Sequence, residues 1–253
     1  MKWHVLGSAS GLTVAHRFHS AYLLEHNGRS LLVDCGDGTA HALAKLKPSV
    51  LDFEAVLISH THPDHAAGLP LLLQYLMMRK RKAPLKLFVP AFYTDFLLEQ
   101  LYRFYIFPEK WPFPFYLHAL ENRLPFWDDL QVELFPTNHL KGAETLARRH
   151  GVGTESYGFR FRVGNRSLIF TSDIQSVKAI SRYIEAAQWL FIEGAHASVT
   201  EICQLAVEKN IHHVRITHIP PELEKEEKSL AALAQKFGLA DLKLTNDGEI
   251  VEW

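Results

Sequence analysis

Residues 54–65 read Glu-Ala-Val-Leu-Ile-Ser-His-Thr-His-Pro-Asp-His, an apolar strand that ends in four potential metal ligands: His60, His62, Asp64 and His65. Alternate side chains of an extended segment face the same way, so His60 and His62 project together. Pro63 fixes the backbone and cannot continue a strand ladder. Asp64 and His65 then fall at the start of the next helix, on a different side of the same turn. One short segment can therefore serve two cations. Imidazole with carboxylate suits Zn²⁺ best, with Mn²⁺ and Fe²⁺ as alternatives. A lone histidine is ordinarily a solvated loop residue, but four ligand types this close together are poorly explained that way.

The run resembles the His-x-His-x-Asp-His signature of the metallo-β-lactamase superfamily, and the resemblance extends over almost the whole chain. Asp34 in Leu-Leu-Val-Asp-Cys-Gly-Asp-Gly-Thr matches the early strand-end aspartate, and His139 in Pro-Thr-Asn-His-Leu matches the third ligand block. Asp173 in Ile-Phe-Thr-Ser-Asp matches the bridging carboxylate, and His218 in Ile-Thr-His-Ile-Pro the last histidine. The resemblance implies two Zn²⁺ ions per chain. His60, His62 and His139 would hold one; Asp64, His65 and His218 would hold the other; Asp173 would bridge them. Asp34 would orient a ligand imidazole through its N–H. A hydroxide shared by the two ions would be the nucleophile, with Asp64 accepting its hydrogen bond.

The type of ligand narrows the branch. True zinc β-lactamases with this motif carry a cysteine near the position of Asp173, which argues against antibiotic hydrolysis. Flavodiiron proteins carry a glutamate where His62 stands, which argues against a di-iron redox role. Two further stretches, Asp34-Cys-Gly-Asp-Gly-Thr and Ser156-Tyr-Gly-Phe-Arg-Phe, resemble ribonuclease Z and its relatives. So does Glu193-Gly-Ala-His196-Ala-Ser leading into a helix and then Ile216-Thr-His218. By that resemblance His196 would meet the leaving group or a phosphate oxygen; the competing reading is a solvated residue at a helix start. Ribonuclease Z enzymes that process transfer RNA insert a long arm, usually between the third ligand block and the bridging aspartate. Here that interval is short. Small-substrate relatives without an arm include the cyclic ribose phosphodiesterase of carbon–phosphorus lyase pathways, whose added cysteine-rich zinc site this chain lacks.

The reading is thus a zinc-dependent hydrolase of the phosphodiesterase type, acting on a small or nucleotide phosphodiester, cyclic ones included, or on RNA. Two rivals stand beside it. A carboxylic ester, lactone or thioester hydrolase could use the same metal pair, and a non-catalytic metal-binding carrier could resemble relatives implicated in pyrroloquinoline quinone synthesis.

The elements that must position these residues follow from hydropathy. Alternating or short apolar runs predict strands over 2–6, 20–26, 30–34, 54–59, 85–89, 131–136, 157–163, 166–171, 188–193, 213–217, 241–245 and 249–252. Helices are expected over 38–46, 64–80, 91–105, 176–186, 198–209 and 222–237. Asn27-Gly28, Gly164-Asn165 and Asp247-Gly248 signal tight turns. The expected class is α/β: an αββα four-layer sandwich of the metallo-β-lactamase type, two mixed sheets with helices outside, as one domain over 1–253. Residues 102–116, rich in aromatics and proline, form either a lid that stacks a planar group or a flap packed on the body or a second subunit. The basic run Arg79-Lys-Arg-Lys82 either holds an RNA backbone or is a solvated helix end.

Composition agrees with this. The 253 residues carry Lys+Arg 27 against Asp+Glu 28, a net charge of −1, with 47% hydrophobic residues and 15 histidines. That excludes dominant disorder and a globally basic nucleic-acid binder. Cys35 and Cys203 cannot form a disulfide framework and read as small core residues. They fit a reducing compartment, and with no signal-like or membrane-length apolar stretch the expected location is cytoplasmic. A homodimer is left open.

Overall fold

The computed structural model describes residues 1–46, 52–127, 129–185 and 187–253. Ala186, the last residue of the helix expected over 176–186, lies outside them. In chain order the strands are β1 (Lys2–Gly7), β2 (Ala21–His26), β3 (Arg29–Val33), β4 (Ala55–Leu57), β5 (Leu85–Val89), β6 (Phe115–Ala119) and β7 (Arg123–Trp127). They continue as β8 (Leu130–Pro136), β9 (Tyr157–Val163), β10 (Arg166–Phe170), β11 (Trp189–Glu193), β12 (His213–Thr217), β13 (Asp241–Leu244) and β14 (Ile250–Glu252). The α-helices are α1 (Thr39–Ala44), α2 (Pro63–Ala66), α3 (Leu69–Met78), α4 (Thr94–Arg103), α5 (Glu144–Arg149), α6 (Val177–Ile180), α7 (Val199–Glu208), α8 (Pro221–Glu224) and α9 (Glu227–Phe237). None of the described helices is long and apolar enough to cross a membrane.

The chain forms two compact units, Met1–Leu120 with Asn246–Glu252, and Glu121–Thr245 with Trp253. Each holds one seven-stranded mixed sheet. In the first the order is β14-β1-β2-β3-β4-β5-β6, and in the second β13-β12-β11-β10-β9-β8-β7. Strands β3 to β6 run parallel in the first sheet and β10 to β13 in the second; the other pairings are antiparallel. Parallel strands buried on both faces need near-continuous apolar runs. Leu31-Leu32-Val33, Val56-Leu57-Ile58 and Leu190-Phe191-Ile192 supply them, all at 0% exposure.

Helices cover these sheets with apolar stripes. On α3, Leu69, Leu72, Leu73 and Leu76 are buried, the spacing of one helical face. In the second unit α7 buries Val199, Ile202, Cys203, Leu205 and Ala206, and Ser198 and Glu201 form a capping box at its start. The Asn27-Gly28 turn between β2 and β3 places both residues at positive φ, 51° and 75°, as a tight hairpin requires.

The structure departs from the sequence expectations at several elements. The single helix expected over 64–80 is two, α2 and α3, parted at Ala67 and Gly68. A close approach marks the break: a Cβ on Gly68 would stand 2.3 Å from the Gly36 carbonyl oxygen. The Gly68 N–H donates to the Cys35 carbonyl. The helix expected over 222–237 is also two, α8 and α9, parted at Lys225 and Glu226. Two strands go beyond the expected set. β6 is an edge strand with little burial, and β7 is an edge strand that carries Pro125.

Within 102–116, Ile106, Trp111 and Phe113 are buried in the apolar core of the first unit, while Phe104 and Tyr105 are exposed. The basic run is divided too. Arg81 is 5% exposed, and its guanidinium donates to the carbonyls of Phe53, Ala83 and Pro84. Arg79 lies over the Tyr75 ring.

Candidate metal centre

In parallel sheets, ligand sites form beyond the carboxyl ends of the strands. The sequence-derived residues fall there in both units. In the first unit Asp34 follows β3, and His60, His62, Asp64 and His65 follow β4. His62 is the residue before Pro63 and stays extended, at φ −59° and ψ 146°, as the proline ring demands. Pro63 then opens α2, which carries Asp64 and His65. The expected change of side between the two ligand pairs is therefore a strand-to-helix turn.

Four of these five side chains are buried, and His62 is exposed. The His60 and His62 rings meet edge to face at 4.9 Å between centroids, and the His60 and His65 rings lie 4.1 Å apart. His65 Nε2 stands 3.5 Å from Asp64 Oδ2. Beneath them Asp34, at 0% exposure, accepts three hydrogen bonds. Its Oδ1 takes the Ser59 N–H at 2.8 Å, and its Oδ2 takes the Ser59 hydroxyl at 3.0 Å and His65 Nδ1 at 2.8 Å. The backbone at Asp34 is left-handed, with φ 58°. Aspartate tolerates that region better than most residues, and such strain gathers at functional turns. The turn is also packed tightly: a Cβ on Gly36 would lie 2.2 Å from the Asp64 carbonyl oxygen.

In the second unit Asp173 follows β10, Glu193 ends β11 and His218 follows β12. His139 opens a 3₁₀ turn after Asn138, and its N–H donates to Ser156 Oγ at 3.0 Å. Asp173 Oδ2 stands 3.5 Å from His139 Nε2 and 3.3 Å from His218 Nε2. Asn138, Ser172 and His218 are all left-handed, at φ 58°, 50° and 50°. His196 belongs to the same cluster; its ring lies 4.8 Å from that of His139 and 6.4 Å from that of His218. It is exposed, yet it is not a loosely held helix-start residue. Its Nδ1 bonds to Glu193 Oε1 at 3.0 Å, and its N–H donates to Glu193 Oε2 at 2.8 Å.

Sequence reasoning leaves two residues without a role. Glu193, at 0% exposure, holds His196 as Asp34 holds His65. Ser59 bonds at once to Asp34 and to His60 Nδ1. The available signal is a polar residue closing an apolar strand, Leu190-Phe191-Ile192-Glu193 and Val56-Leu57-Ile58-Ser59.

The donor sets fit divalent transition cations. Each unit brings imidazole nitrogens together with carboxylate oxygens, mostly buried, and within a unit the carboxylates already hold imidazoles by the other ring nitrogen or crowd them at 3.3–3.5 Å. Imidazole and carboxylate are the ligand pair that zinc, manganese and iron share. Uncompensated, such a gathering of buried carboxylates and imidazoles is costly, and a cation offsets that cost. Burial also raises the Cys35 thiol, so it stays protonated and takes no part as a thiolate.

Comparison with known proteins places these features. The Ribonuclease Z of Ignicoccus hospitalis is 35% identical over 151 residues, covering 57% of this chain and 49% of that protein, so the match spans about half of the relative's length. The metallo-β-lactamase fold protein YhfI of Bacillus subtilis aligns with a TM-score of 0.74 at 21% identity, covering 100% of this chain and 99% of that one. Human tRNase Z, short form, aligns with a TM-score of 0.75 at 18% identity, covering 100% and 99%. The fold is therefore the α/β fold of the metallo-β-lactamase type, as expected from the ligand motif, and the kinship with the ribonuclease Z-like branch holds. A family model described as "Anti-Pycsar protein Apyc1" matches residues 1–236, and the chain belongs to that family.

Proposed function

We propose that the chain is a metal-dependent phosphodiester hydrolase acting on a small or cyclic phosphodiester, with RNA as the second substrate class. The observation that carries this is the Glu193–His196 pair. A buried carboxylate holds an exposed imidazole beside His139 and His218, the geometry of an oriented proton donor, which a passive metal carrier has no use for. The similarity to ribonuclease Z proteins supports a phosphodiester as the reacting group. The segment from His139 to Asp173 supports a small one: it consists of a 3₁₀ turn, α5, β9 and β10, with no arm-like insertion to grip RNA.

In this reading the chain works as one metallo-β-lactamase domain. His60, His62 and His139 would hold one zinc ion and Asp64, His65 and His218 the other, with Asp173 contributing to both. When bound, such cations would supply a water of lowered pKa and positive charge to offset that of the phosphoryl oxygens. Asp64 accepts a hydrogen bond from the attacking water and sets its approach. His196 presents its Nε2 to the departing oxygen and delivers a proton there. Glu193 holds the ring by Nδ1 and balances the imidazolium charge. A cytoplasmic homodimer completes the proposal; sedimentation of the purified protein reads its subunit number.

The test is a substrate panel on zinc-loaded protein. Bis-p-nitrophenyl phosphate and a cyclic nucleotide are expected to turn over, and chelation to stop both. Turnover of a lactone but of no phosphodiester would replace this reading with the carboxyl-ester one. Full zinc loading with no turnover of any substrate would mark a carrier.

A further inference from the structure

We infer that Ser59 is a positioning residue for one of the two cation subsites and not for the other. It acts by setting the tautomer and orientation of His60. The inference rests on the metal reading above.

Ser59 is fully buried two residues past the end of β4, next to His60. Its hydroxyl lies 3.0 Å from Asp34 Oδ2 and 3.1 Å from His60 Nδ1. An ionised carboxylate has no proton to give, so the single hydroxyl proton goes to Asp34. The hydroxyl can then only accept from His60, which requires the proton of that ring to sit on Nδ1. His65 Nδ1 meets the same carboxylate oxygen at 2.8 Å, so its proton also sits on Nδ1. Both rings therefore offer the lone pair of Nε2 to a cation.

One carboxylate thus orients two ligand histidines by unequal routes, His65 directly and His60 through a hydroxyl. Asp34 is itself fixed by backbone. Its N–H donates to the Leu57 carbonyl at 2.8 Å, and its Oδ1 accepts the Ser59 N–H. Removing the Ser59 hydroxyl leaves those two bonds and the His65 bond in place. What goes is the hydroxyl's own bond to Asp34 Oδ2 and the oxygen that accepts from His60 Nδ1, and only the second of these touches a ligand ring directly. In the proposed centre His60 and His65 serve different ions, so the loss is confined to one.

The experiment is stepwise zinc titration of apo Ser59→Ala against a chromophoric chelator, beside wild type and Asp34→Asn. Asparagine tolerates the left-handed backbone at position 34. For Ser59→Ala, one zinc equivalent is expected to weaken by about 10–100-fold while the other keeps its wild-type affinity. Asp34→Asn is expected to weaken both. Long-range ¹H–¹⁵N spectra of the zinc-loaded protein give a second reading: the ring signals of His60 shift in Ser59→Ala while those of His65 stay. Equal weakening of both equivalents in Ser59→Ala, or of neither, would overturn the inference. So would an unchanged His60 tautomer and ring signal. Wild-type protein that takes up fewer than two equivalents would instead sink the metal reading, before any variant is compared.

Discussion

Replacing Glu193 by glutamine tests the proton-donor assignment most directly. The carboxylate accepts four N–H groups. Oε2 takes those of Ala195 at 2.6 Å and His196 at 2.8 Å; Oε1 takes His196 Nδ1 at 3.0 Å and the Ile174 N–H at 3.4 Å. A glutamine offers one oxygen and one NH₂, so in either orientation two of those donors face another donor. Hydrogen bonds to a charged group contribute about 1.5–3 kcal/mol each, so losing two costs about 3–6 kcal/mol, divided between folding and the orientation of His196. The folding share appears as a lower melting temperature. The catalytic share depends on the leaving group. An alkoxide, as in a cyclic nucleotide, needs a proton, and kcat/KM there is expected to fall by about 10²–10⁴. p-Nitrophenolate leaves without one, so bis-p-nitrophenyl phosphate is expected to lose less than about tenfold. Zinc content should stay at the wild-type value, and His196→Ala should show the same split. Equal losses on both substrates, or zinc lost along with activity, would refute the assignment.

Other perturbations read other parts of the structure. Arg81→Met strands the carbonyls of Phe53, Ala83 and Pro84; at about 1–3 kcal/mol for each unsatisfied group, denaturant melts should show a loss of about 3 kcal/mol or more, with activity per folded molecule unchanged. Gly36→Ala drives a Cβ to 2.2 Å from the Asp64 carbonyl oxygen and 2.6 Å from His19 Cβ, so α2 must shift; elemental analysis should find zinc reduced in the folded fraction. His4 is 8% exposed, and burial holds its pKa below the usual 6.5 even though Glu25 opposes the shift. The unfolded chain therefore takes up a proton below that pH more readily than the folded one, and stability falls as pH drops through it. Thermal melts of wild type and His4→Gln from about pH 7.5 to about pH 5 should show the steeper acid loss in wild type, and parallel curves would refute the cause.

Much of the fold was legible because its strands are short apolar runs with turn residues at their ends. β3, β10 and β12 fall within a residue of their expected limits. What failed had local patterns that carried little burial. β6 is an exposed edge, and β7 carries Pro125, which reads against a strand because proline has no N–H to give a ladder. The break at Gly68 was illegible because its cause, the Gly36 carbonyl, lies far away in sequence. Arg81 looked like one cation among four, yet its guanidinium is folded inward onto three carbonyls. Residues 102–116 read as a stacking lid or as a flap packed on the body, and burial of Trp111 and Phe113 in the core of the first unit agrees with the second.

For the candidate site, the residue types and their order were written in the chain itself. The donor atoms that histidine and aspartate bring to a metal depend on side-chain chemistry, and the turn at Pro63 parts His60 and His62 from Asp64 and His65 by local geometry alone. Tertiary structure decided which nitrogen of each ring is left for a cation or a substrate. That depends on what the other nitrogen touches: Asp34 for His65, Ser59 for His60 and Glu193 for His196. Hydrogen bonds act over about 3 Å in space and take no account of distance along the chain. Asp34 and His65 come together only because β3 and β4 pair in parallel, which no reading of either segment by itself contains.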